Sequence, residues 1–94
     1  MLHTVKYSPF SDQSLEQALR YLQPGDQLVL WQDAVIAATL PAWQARLQQL
    51  ASDGCLYVMQ EDLDARGLVA GVGEPLTMAG MVKLVIEQGS PTAW

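Results

Sequence analysis

The run CLYVM at residues 55–59 holds Cys55, the only cysteine of the 94-residue sequence. Any thiol chemistry rests on that one sulfur. A reactive thiolate needs a neighbouring cation or a helix N-terminus, and Gly54 and Leu56 supply neither. Other candidates are as sparsely equipped. Glu61 and Asp62 are adjacent carboxylates that could share a proton in a pocket, yet acids are routine in the first turn of a helix. Asp33 follows an apolar run, where a phosphoacceptor or a helix cap would both fit. Ser8 has no recognisable base partner. His3 lies within an extended segment and reads as a packed or exposed residue. Gly71-Val72-Gly73 lacks the third glycine of a dinucleotide fingerprint. One cysteine and one histidine give no metal-ligand spacing, and no cofactor motif is present.

The elements that must position these residues alternate in type. LHTVK at 2–6 predicts a first strand, broken by Ser8-Pro9. Ser11 is a candidate N-cap, with Phe10 and Leu15 as a hydrophobic staple. Leu15, Ala18, Leu19 and Leu22 then recur at helical spacing until Pro24-Gly25-Asp26 ends the helix. LVLW at 28–31 and CLYVM at 55–59 are apolar without alternation, the mark of strands covered on both faces of a parallel sheet. Between them Asp33 can cap a short helix over AVIAAT. Pro41 restarts a second one, with Trp43, Leu47 and Leu50 on its apolar face. Residues 61–66 suit a short helix closed by Gly67. GLVAGVGEPLTM holds a short fourth strand, placed by its glycines and Pro75 at an edge. Thr77 caps a last helix whose apolar stripe is Met78, Met81, Val82, Val85 and Ile86, ending at Gly89.

The order β-α-β-α-β-α-β-α predicts an α/β fold: a small, mostly parallel β-sheet flanked by helices, in one domain spanning residues 1–94. In such sheets ligands gather beyond the carboxyl ends of the strands. Ser8, Asp33, Glu61 and Asp62 collect there, and a structural role is expected for them. Cys55 opens its strand at the opposite end, about 13 Å away over four residues. Its expected role is that of a small hydrophobe.

Composition points outward from the domain. Half of the residues are apolar and only 16% are charged, against about 25% in ordinary proteins. Few charges on so small a domain imply that part of its surface is covered by another chain. Trp94, Trp31 and Met81 are the expected partner-interface residues; for Trp94 the competing possibility is a tail folded back on its own domain. The formal charge of −5 comes with five scattered basic residues, so no basic stripe exists for phosphates and no direct nucleic-acid binding is expected. The opening MLHTVKYSPF lacks the pattern of a signal peptide, and no run approaches the ~20 apolar residues of a membrane helix. A cytoplasmic location is the resulting expectation.

Taken in order, LHT…SP, QD-x-V-x-AA, ED-L-x-ARG and the closing AW cover nearly the whole chain. With these motifs the sequence resembles the DsrH-like family of the DsrE/F/H superfamily, in its TusB branch. The resemblance implies a non-catalytic subunit in a TusBCD-type heterohexamer with TusC-like and TusD-like partners. Sulfur would come from a TusA-like carrier and leave through a TusE-like one toward 2-thiolation of the tRNA wobble uridine, with the reactive cysteine on the TusD-like subunit. Some DsrH relatives of sulfur oxidisers carry a cysteine in the first helix. Ala18 aligns there in this chain and cannot hold persulfide, which favours tRNA thiolation over sulfur oxidation. Ala34 also departs from the glycine common in relatives. A free-standing sulfurtransferase using Cys55 is the alternative.

Overall fold

A computed structural model describes every residue from Met1 to Trp94. The expected alternation is present: β1 (Leu2–Val5), α1 (Ser14–Tyr21), β2 (Gln27–Leu30), a 3-10 helix (Gln32–Thr39), α2 (Pro41–Ser52), β3 (Leu56–Met59), α3 (Gln60–Ala65), β4 (Glu74–Leu76) and α4 (Met78–Gln88). A further strand, β5 (Thr92–Ala93), follows. The strands pair in the order β4-β3-β2-β1-β5, every pair parallel. The proline-bearing strand β4 sits at an edge, where a missing N–H costs no ladder bond.

Strand alternation divides the apolar side chains between two faces. On one face Val5, Leu28, Leu30, Leu56 and Val58 pack under α1, the 3-10 helix, α2 and α3, with Leu15, Ala18, Leu47 and Leu63 fully buried against them. On the other, Leu2, Val29, Met59 and Leu76 meet only α4, through Met81 and Leu84. A sheet of five strands spaced ~4.8 Å apart is about twice as wide as one helix. One face is therefore covered by four helical elements and the other by one.

Several local expectations need correction. Helix α1 begins at Ser14, not after Ser11. The carbonyl of Ser8 accepts the N–H groups of both Ser11 and Asp12 at 3.1 Å, which spends those residues in a turn. Asp12 then takes the Ser14 N–H at 2.7 Å. The staple does not form, because Phe10 is 75% exposed. Asp33 is not a cap: the residue before the 3-10 helix is Trp31, with no side-chain cap bond, and Asp33 stands inside the first turn. The stripe of α4 is rotated from the expected one. Met81 and Leu84 face the sheet, whereas Met78, Val82 and Ile86 are 51%, 53% and 78% exposed. Thr77 does cap α4, its hydroxyl accepting the Gly80 N–H at 3.2 Å.

The pair Gly71 and Gly73 has a packing explanation. Gly73 has φ of +95°, and a Cβ there would lie 2.8 Å from Val58 Cγ2. Side chains are excluded twice over, by conformation and by the closeness of β3.

Candidate functional site

At the carboxyl edge, β1 leads to Ser8, β2 to Gln32 and Asp33, and β3 to Glu61 and Asp62. All four residues expected there are there, and each is engaged. Glu61 accepts the N–H of Met78 at 2.9 Å and so satisfies the start of α4. Asp62 accepts the N–H of Gln32 at 2.7 Å. Asp33 receives Arg66 Nη2 at 2.8 Å and Nε at 3.3 Å. The Ser8 hydroxyl oxygen accepts the Phe10 N–H at 3.2 Å. Ser8, Asp33, Ile36, Arg66 and Leu68 line a shallow hollow of about 360 Å³. Its single cation, Arg66, lies between Asp33 and Asp62, 3.6 Å from the latter's Oδ1. The hollow contains no thiol, imidazole or amine to act as nucleophile or base.

Gln32 is the strained point of this edge. Its φ of +49° is the only positive value at a non-glycine residue, a conformation costing about 1–3 kcal/mol. The Asp62 carboxylate holds it there through the short hydrogen bond to its N–H. Asp62→Ala is expected to lower stability by about 1–2 kcal/mol, the worth of a partly exposed charge-assisted bond. Adding Gln32→Gly should return roughly 1 kcal/mol of that, because glycine adopts the conformation freely. Chemical denaturation of the single and double variants checks both values. Asp33→Ala, by contrast, removes only an exposed pair and should cost less than about 1 kcal/mol.

Cys55 lies at the opposite edge, as its position in the run implies. It is half-buried, and its carbonyl accepts the N–H of Leu28 at 2.8 Å just before the β2–β3 ladder. Its sulfur lies 3.6 Å from the Asp53 carbonyl oxygen. That contact requires a protonated S–H and offers a thiolate nothing. A hollow of about 320 Å³ lies nearby, lined by Ala51, Gly54, Leu56, Tyr57, Gly73 and Glu74, none of them cationic.

A third cluster has no counterpart in the sequence expectations. His3 is fully buried. Its Nε2 lies 3.1 Å from Asp26 Oδ2, and its Nδ1 lies 3.2 Å from Trp94 Nε1. An indole N–H only donates, so Nδ1 accepts and the neutral ring carries its proton on Nε2, which donates to Asp26. The arrangement has the Asp–His half of a catalytic triad with a tryptophan where a nucleophile would stand; it holds a ring and activates nothing. No spacing rule could have found it, since its members are separated by 23 and 91 positions.

Asp26 is the most perturbed acid of the chain. The Gln23 N–H, then the Met1 ammonium at 3.0 Å, then His3 hold its carboxyl down to about 2 from 3.8. A depressed folded value means stability that is present above about pH 4 and is lost as pH falls through about 2. Asp26→Asn should therefore flatten the acid limb of stability between pH 4 and 2. Thermal melts across that range test this.

Of the three residues expected at a partner interface, Trp94 is half-buried. Its N–H donates to the Thr4 carbonyl at 2.9 Å, and its ring packs edge-on to Tyr21 at 5.4 Å. The tail thus folds back onto its own domain as β5. Trp31 is half-buried beside Val29 and Met59 on the thinly covered face. Met81 is only 7% exposed and is part of that face's core; the outer side of its helix belongs to Met78, Val82 and Ile86.

Comparison with known proteins agrees along the whole chain. Residues 7–90 match the family described as DsrH like protein. The chain is 40% identical to Protein TusB of Erwinia tasmaniensis and 37% identical to Protein TusB of Pectobacterium atrosepticum, each alignment covering all of both chains. Protein TusB of Klebsiella pneumoniae is 34% identical, again over full length. With a parallel α/β sheet in place and a match over nearly its entire length, this chain belongs to the DsrH-like family.

Proposed function

We propose that the chain is a non-catalytic subunit of a TusBCD-type sulfur-relay complex. In it, two copies join two TusC-like and two TusD-like subunits in the cytoplasm. Persulfide sulfur enters from a TusA-like carrier and leaves through a TusE-like one, toward 2-thiolation of the tRNA wobble uridine. The sulfur-bearing cysteine belongs to the TusD-like subunit, and this chain shapes the assembly around it.

The observation that carries this reading is the uneven covering of the sheet. One face has a full helical layer, and the other has α4 alone. The outer side of α4 shows Met78, Val82 and Ile86 to solvent, with Trp31 and Tyr57 half-buried beside it. An apolar helix face over an incompletely covered sheet resembles a domain core cut in half, the mark of a permanent subunit interface. Two further features are consistent with it. The carboxyl edge has its carboxylates committed to backbone N–H groups and Arg66. Ala18, aligned with the helix cysteine of sulfur-oxidising relatives, is fully buried under the sheet. No helix is long and apolar enough to cross a membrane.

Co-expression with TusC-like and TusD-like proteins, followed by native mass spectrometry, tests the proposal. Equal stoichiometry with two copies of each chain is expected. A chain that remains separate from both partners would refute it.

A further inference from the structure

We propose that His3 is a proton-operated latch on the carboxyl-terminal strand: its protonation releases Trp94 and β5 while the rest of the sheet stays paired. This stands apart from the sulfur-relay reading and would hold for the chain alone. It starts from the two hydrogen bonds of one buried ring.

The imidazole of His3 has no exposed surface, and both of its nitrogens are engaged, 3.1 Å from Asp26 and 3.2 Å from Trp94. Only the neutral Nε2–H form satisfies both, because the indole N–H cannot accept. A second proton, placed on Nδ1, would set N–H against N–H. Water has no access to the enclosed ring to relieve the mismatch, and an unpaired buried donor is costly. A ring flip does not help either, since it also removes the bond to Asp26.

The charged and titratable groups around the ring set the direction. The Asp26 carboxylate, before β2, faces Nε2 and stabilises an imidazolium. The Met1 ammonium sits on the other oxygen of Asp26 and partly offsets that attraction. Tyr21 presents its ring from α1 at 6.0 Å. On β5, Thr92 lies beside His3 in register and brings no charge. An imidazolium is thus supported on the Asp26 side, opposed in part by the Met1 ammonium and by burial of the ring, and left without an acceptor where Trp94 docks.

The element that must yield is the weakest in the sheet. Strand β5 has two residues at an edge, anchored by the Trp94 N–H to Thr4 and by the indole on His3. Short, edge-bound elements open before the global unit does.

Nuclear magnetic resonance on the full chain reads each part. Long-range proton–nitrogen spectra of His3 should show the Nε2–H form at pH 8. As His3 titrates, the Trp94 indole N–H and the amides of residues 92–94 should exchange roughly tenfold faster or more, with Leu28 to Leu30 unchanged. The opposite tautomer at pH 8 would overturn the proposal. So would His3 titration with Trp94 undisturbed, or protonation that occurs only as the whole sheet unfolds. Trp94→Phe keeps an aromatic ring and removes the donor. Tail docking in it should weaken roughly twofold to tenfold at pH 8 and lose its pH dependence; an unchanged pH dependence would count against the latch.

Discussion

Replacing Val82 and Ile86 together by glutamate is expected to leave the chain folded and to remove it from assembly with TusC-like and TusD-like partners. Both side chains are more than half exposed on the outer side of α4. Surface changes of this kind alter stability by about 0.5 kcal/mol or less, and glutamate is a good helix former. At an interface the same change removes two apolar anchors and buries two charges. Losing even one well-packed anchor costs about 2 kcal/mol or more, roughly thirtyfold in affinity. The double variant should therefore keep its helical circular dichroism and melting point and lose at least thirtyfold in partner affinity. Wild-type affinity would place the interface on another surface.

Deleting Ala93 and Trp94 should lower the stability of the domain by about 2–3 kcal/mol. Of the two possibilities that the sequence left for Trp94, this follows from the tail folded back on its own domain. In the structure the deletion removes the pairing of β5 with Thr4, a half-buried indole worth about 1–2 kcal/mol of apolar burial, and the only partner of His3 Nδ1. The last is a buried acceptor left unsatisfied unless water enters. Urea denaturation of the truncated chain measures the loss. If stability is unchanged, the tail contributes nothing to its own domain and its packing on Tyr21 and His3 is incidental. Partner affinity measured on the same variant shows whether Trp94 also serves the interface.

How much of this was legible in the sequence follows from the range of each interaction. LVLW and CLYVM announced central parallel strands because burial on both faces abolishes alternation, a property each run carries within itself. Thr77 and Gly67 worked as punctuation for the same reason: a cap acts within four residues. The carboxyl edge was also legible, because topology alone decides which residues gather there. Strand β5 was not. Two residues after Pro91 hold no strand pattern, and their pairing depends on β1 at the other end of the chain. The rotation of α4 was hidden by its composition. A helix apolar toward the sheet and apolar outward has a stripe too wide to reveal which part faces in, so Met78, Val82 and Ile86 were counted with Met81 on one stripe and Leu84 was overlooked. Asp33 as a cap failed because the 3-10 helix begins two residues earlier than such a cap implies, at strained Gln32, which leaves the carboxylate to Arg66. The Asp26–His3–Trp94 chain was beyond any motif, since only the folded sheet brings the three together.

The direct measurement is the 2-thiouridine content of tRNA in cells lacking this chain and supplied with either the natural sequence or Cys55→Ser. A non-catalytic subunit predicts that thiolation is lost on deletion and restored equally by both, because a half-buried thiol 3.6 Å from a backbone carbonyl contributes no sulfur chemistry. A Cys55→Ser chain that is present at normal levels and joins the complex, yet leaves thiolation as low as the deletion does, would contradict it and make Cys55 the sulfur carrier.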